Sequence, residues 1–195
     1  MFAQRGAFVA LLQQEGLNVN GAKRQACRGG GGVYRMFARR VAPISRAELD
    51  EVMRLRKRLE GMALADAIAA GDVDWEAGIV AAFHRLSKAA LPLGADRPGV
   101  ADEWEAMHRD FHQALIAACE SAWLLKFCAQ LAAHTERYRR IRHYHSVGAD
   151  QLARNVEREH RELMEATLAR DTARATAILE QHFDRTATVV AAVIG

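Results

Sequence analysis

The chain has 195 residues, half of them hydrophobic and about a quarter charged, with a net charge of +3. That mixture supplies enough apolar material for a packed core and excludes a disordered or collagen-like chain. No run of 18 apolar residues occurs, which argues against a membrane span, and three cysteines without paired-ligand spacing argue against a disulfide framework and for a reducing cytoplasm.

The charge is unevenly spread. Residues 1–45 carry seven Lys/Arg (Arg5, Lys23, Arg24, Arg28, Arg35, Arg39, Arg40) against Glu15, a surplus of six, so residues 46–195 sum to −3. A basic head on a mildly acidic body suits a segment that faces a polyanion such as nucleic acid, although a solvated basic arm has the same composition. Within the head, residues 7–15 read as a short helix stopped by Gly16. Four consecutive glycines, Gly29–Gly32, follow as a loop without side chains to pack. They lack the Gly-Lys-Ser/Thr ending of a phosphate loop. Residues 33–41 read as a short strand. Pro43 marks a boundary, and Ser45 followed by Glu48 is a capping box that opens a helical region.

From residue 46 on, apolar residues recur at spacings of three and four. In chain order they predict helices over 46–70, 73–91, 100–119, 121–145, 149–169 and 171–193, separated by Gly71-Asp72, by Pro92, Gly94 and Pro98, and by Gly148. Long helices with short links pack as an antiparallel bundle. The fold class is therefore all-α, a bundle of about six long helices preceded by a short irregular basic segment. The domain reading is 1–45 for the head and 46–195 for the bundle.

Four of the eight histidines make a pattern. His108 and His112, at i and i+4, share one helix face. His160 lies beside Leu163 and Met164, and His182 beside Ile178 and Leu179, so both belong to core-facing stripes. Three inward faces can bring four imidazoles to one point, which is how bundles build metal sites; imidazole suits a divalent transition metal such as zinc or nickel. Inward histidines that are simply hydrogen-bonded in the core are the bland alternative. His84, His134, His143 and His145 read as surface or ordinary packing, Cys119 and Cys128 as small buried residues, and the run Arg137, Tyr138, Arg139, Arg140 as a solvated face in preference to one with a member or two facing the pocket.

The stretches 107–125 (MHRDFHQALIAACESAWLL), 158–171 (REHRELMEATLARD) and 175–183 (ATAILEQHF) resemble the FadR C-terminal (FCD) ligand-binding domain of GntR-type transcription regulators. The opening helix 48–64, with Arg56, Leu59 and Glu60, is similar to that domain's first helix. The resemblance covers about residues 46–194. It implies a metal held by His112 of Phe111-His112, His160 of Glu159-His160, and His182, with His108 standing where the family has an aspartate. That departure makes the site all-imidazole. The resemblance also implies a small carboxylate effector met by Arg56, a homodimer, and a winged helix-turn-helix that binds DNA. Residues 8–19 and 39–52 resemble the edges of that module, but the segment between them does not resemble a wing. The head therefore reads as a truncated or disrupted remnant, and DNA binding by this chain alone is expected to be weak.

Two other readings compete. One is a di-iron carboxylate enzyme built on Glu105/His108 and Glu157/His160 with Glu60 and Glu180; it leaves His112 and His182 without a task. The other is a metal-free helical dimerisation module. No nucleophile arrangement or dinucleotide fingerprint supports an enzyme otherwise.

Overall fold

A computed structural model of the chain describes residues 45–89, 98–144 and 156–194. The short helix over 7–15, the strand over 33–41 and the domain reading of residues 1–45 lie outside the described residues. The described residues form six helices and no strand: α1 (Arg46–Ala70), α2 (Val73–Lys88), α3 (Pro98–Ile116), α4 (Ala122–Tyr144), α5 (Val156–Leu168) and α6 (Thr172–Ile194). All six helices expected from periodicity are present; residues 90–91, 145 and 149–155 of the expected spans lie outside the described residues. The all-α bundle is the observed fold.

Local chemistry fixes the helix ends. Ser45 caps α1, its hydroxyl accepting from the Glu48 amide at 3.4 Å. The reciprocal half of the expected capping box goes elsewhere: Glu48 Oε2 accepts from the Tyr138 hydroxyl at 2.5 Å and from Arg137 at 3.2 Å, fastening α1 to α4. Gly71 ends α1 in an extended conformation, so positive φ is not the reason for glycine there. Space is: a Cβ on Gly71 would lie 2.1 Å from the Trp75 ring. Asp72 caps α2 by accepting from the Trp75 amide at 2.9 Å, and the Trp75 indole donates to Ala114 O at 2.9 Å, joining α2 to α3.

The end of α5 is a Schellman turn. Arg170 takes the left-handed conformation (φ 57°), with Arg170 N–H bonded to Thr167 O and Asp171 N–H to Ala166 O. A non-glycine residue there costs about 1–2 kcal/mol. The Arg170 side chain offsets part of this by donating to Ile68 O and Gly71 O, which staples the α5–α6 link to the α1–α2 link. Asp171 then caps α6 through the Arg174 amide.

α1 lies against α4 and α6, α2 against α3, and α5 against α6. One continuous core runs through them, with Leu49, Leu64, Ile79, Phe111, Leu115, Leu163, Leu179 and Phe183 almost wholly buried. No described helix is long and apolar enough to cross a membrane. Into this core project twelve buried polar or charged residues, including four histidines, two arginines and three glutamates, and they define the site.

Candidate metal centre

His108 and His112 come from α3, one turn apart. His160 comes from α5 and His182 from α6. All four are buried, each 6 % exposed or less. Each offers a ring nitrogen, and the four nitrogens lie within 4.8 Å of one another. That is close to the ~4.2 Å separating two nitrogens on opposite sides of one ion at ~2.1 Å each. Ring centroids are 4.6 Å apart for His108 and His112, 4.7 Å for His160 and His182, and 6.0 Å at most, between His108 and His182. The structure thus brings together all four histidines singled out in the sequence. His84 and His134 are exposed, as is Asp110, two residues from both His108 and His112.

Packing fixes the rings. Trp104, one turn before His108, stacks on it at 4.7 Å and 19°. Phe111 meets His112 and His160 edge-on at 5.6 and 5.2 Å. Phe183 lies parallel to His112 at 5.9 Å. Hydrogen bonding fixes His182, whose Nδ1 is 3.0 Å from Glu159 Oε2; Arg185 holds the other Glu159 oxygen at 3.0 Å. This is the outer carboxylate that metal-binding histidines characteristically carry, and it leaves Nε2 of His182 directed at the cluster.

Burial pushes the His108 and His112 pKa values well below the ordinary imidazole range, and the neighbouring imidazoles, Arg139 and Arg56 push further in the same direction. Both rings are therefore neutral, the form that binds metal. Nδ1 of His108 and both ring nitrogens of His112 are buried without a hydrogen-bond partner. Buried polar atoms normally find partners, at a cost of about 1–3 kcal/mol when they do not. Orphaned nitrogens within a cluster of four buried imidazoles fit a divalent transition ion.

A cavity of about 340 Å³ opens beside His108 and His112, with Arg56, Glu60, Arg109, Glu136 and Arg139 on its walls. Arg56 is 2 % exposed, so it is no surface charge. Its guanidinium is engaged: Nε donates to Glu60 at 2.5 Å, Nη1 donates to Thr135 Oγ1 at 2.6 Å, and the group lies 4.4 Å from the Phe183 ring centre. Opposite it, Arg139 donates three bonds of 2.8–3.2 Å to the Glu105 carboxylate and one of 3.2 Å to the same Thr135 hydroxyl.

The expectation of a solvated Arg137–Arg140 face needs correction: Tyr138 and Arg139 are buried. The reason is a partner invisible in linear sequence, since Arg139 meets a carboxylate 34 residues away. Glu105, Glu159, Thr135 and Trp104 are the site residues that sequence reasoning did not assign to it. Glu105 and Trp104 carry the signal of helical spacing, three and four residues before His108, and Glu159 adjoins His160, whereas Thr135 has no spacing to any of the four histidines.

The di-iron alternative lacks its carboxylates. Glu105 is tied to Arg139 and Glu60 to Arg56, Glu157 pairs with Arg161 at the surface, and Glu180 is exposed.

Comparison with known proteins agrees with the motifs. The family model described as FCD domain matches residues 51–185. The chain is 39% identical over 150 residues to the uncharacterized HTH-type transcriptional regulator BphR of Paraburkholderia xenovorans (strain LB400), covering 77% of this chain and 60% of that protein. It is 36% identical over 143 residues to the HTH-type transcriptional repressor GlaR of Escherichia coli (strain K12), covering 73% and 64%. The chain thus spans less than two thirds of the length of these curated relatives. A crystal structure of a GntR-family transcriptional regulator from Pseudomonas syringae pv. tomato str. DC3000 shares the fold, with a TM-score of 0.64 at 19% identity over 78% of this chain and 59% of that one. The match spans most of the bundle and includes all four histidines: the chain belongs to the FCD domain family, and the curated relatives it matches are transcription regulators.

Proposed function

We propose that the bundle is the sensing domain of a ligand-responsive transcription regulator, binding a divalent transition metal through His108, His112, His160 and His182 and a small carboxylate effector beside it. The observation that carries this reading is the convergence of four buried imidazoles, two of which, His108 and His112, have orphaned nitrogens and border a cavity walled by arginines. The all-imidazole donor set favours zinc or nickel over magnesium or calcium. The ion would supply a positive charge for an anionic ligand.

Arg56 belongs to the effector wall in this proposal, held in place by Glu60 and Thr135. The reading includes a homodimer. The basic residues within 1–45 contribute salt-sensitive phosphate contacts that carry no sequence information. Effector binding draws on α3 and α4, which line the cavity, and shifts the domain between two states only to the extent that the states differ in effector affinity.

Calorimetric melting tests the metal. A ligand that binds only the folded chain stabilises it by RT ln(1 + [L]/Kd), about 2.7 kcal/mol at a hundredfold excess over Kd. Zinc or nickel added to chelator-stripped protein therefore raises Tm, and His112→Ala loses that rise. Equal melting with and without metal contradicts the proposal.

A further inference from the structure

The cavity beside the histidines carries more information than a preference for anions, because its charges are already matched. Three guanidinium groups line it, and each is paired with a glutamate, Glu136 also holding Arg140 at 2.9 Å. Arg56 pairs with Glu60 at 2.5 Å, Arg139 with Glu105 at 2.8 Å, and Arg109 with Glu136 at 3.1 Å. Every guanidinium on the wall is thus already engaged by a carboxylate. An incoming acid group finds uncompensated positive charge only at the histidine end, once an ion is held there.

The rest of the lining is apolar. Ile116 and Ala117 from the end of α3 face Leu125, Cys128, Ala129 and Ala132 of α4. The Cys128 thiol is pushed up to about 12, first by burial and then by the Glu60 carboxylate, so it stays neutral and behaves as another small hydrophobe. Gln113 is the one uncharged polar side chain on the wall apart from the histidines. A second carboxylate or a row of hydroxyls would lie against this apolar surface or beside Glu60 and Glu136. Burying a charge or hydroxyl without a partner is strongly unfavourable.

We infer that the cavity selects a monocarboxylate with an apolar body, about the size of a phenyl ring or a short alkyl chain, its acid end at His108 and His112 and its body between Ile116 and Ala129. This rests on the metal-and-effector reading above and narrows it to one chemical class. A volume of about 340 Å³ lies at the small end of ligand pockets, which suits a body of that size. Short dicarboxylates and sugar acids are excluded by the same wall.

Titration calorimetry on the zinc-loaded full chain tests this with hexanoate and phenylacetate against hexanedioate and gluconate. The monocarboxylates are expected to bind at least about tenfold more tightly than the diacid and the sugar acid. Equal or tighter binding of hexanedioate or gluconate overturns the inference, and so does the absence of heat from all four. Glu60→Gln leaves Arg56 unmatched and should narrow the hexanoate-to-hexanedioate ratio by at least about threefold; an unchanged ratio contradicts the charge-matching argument. Leu125→Gln, on the half-buried wall, should weaken hexanoate several-fold, and undiminished hexanoate binding contradicts the apolar wall. Zinc content of the same samples separates two failures. A chain that holds no zinc refutes the metal reading and the inference with it, whereas a zinc-loaded chain that prefers the diacid refutes the inference alone.

Discussion

Glu159 Oε2 lies 3.0 Å from Nδ1 of His182, and both side chains are buried. The carboxylate selects the tautomer with hydrogen on Nδ1, sets the ring's rotation and raises the basicity of Nε2. Glu159→Gln keeps the shape and loses the charge. Metal affinity should fall about 10–100-fold while the fold persists. Competition against a fluorescent zinc chelator measures it, and an affinity equal to that of the parent chain would show Glu159 to be a structural partner of Arg185 only.

Trp104 stacks on His108 at 4.7 Å, which makes it a built-in reporter. Nickel bound at the cluster should quench its emission. Trp104→Phe should remove most of the nickel-dependent change, because Trp123 is exposed and Trp75 packs at the α1–α2 link. Quenching that is undiminished in Trp104→Phe would place the nickel elsewhere.

The metal-free protein should be acid-sensitive. Burial holds His108 and His112 below the ordinary imidazole value of ~6.5, which they regain on unfolding. Between the two values the unfolded chain binds more protons, so stability rises with pH there and is lost as pH falls below ~6.5. Urea midpoints of chelator-treated protein should therefore drop between pH 7.5 and pH 5.5. The double variant His108→Gln, His112→Gln should flatten that dependence, and a dependence of the same steepness would assign it to other groups.

How much of this was legible in the sequence follows from how far each signal reaches. The six helices were readable because three-and-four spacing, Ser45, Gly71 and Asp72 act within a turn or two. The histidine cluster was readable because His108 and His112 share a face by spacing, and because His160 and His182 sit in core stripes. Arg139 was not, since a charged residue on a helix reads as solvated until its carboxylate is known, and Glu105 lies on a different helix. The Glu159–His182 bond likewise spans two helices. Glu48 was misdirected for the same reason: a local capping partner was available, and Tyr138 outcompeted it from 90 residues away.

That buried pair carries its own prediction. Arg139→Met removes the three hydrogen bonds that Arg139 gives the fully buried Glu105 carboxylate, which should cost about 3–5 kcal/mol. Replacing both, Arg139→Met with Glu105→Leu, should recover most of the loss. Denaturant midpoints of the two variants decide it. A double variant as unstable as the single one would mean that Arg139 acts through Thr135 and the cavity wall, not through Glu105.

The central claim is that four imidazoles from three helices hold one ion. Native mass spectrometry with elemental analysis, on protein purified without an affinity tag or chelator, tests it most directly. The account predicts one zinc or nickel ion per chain, lost in His112→Ala and in His182→Ala. A parent chain without metal, or variants that keep a full complement, would contradict it.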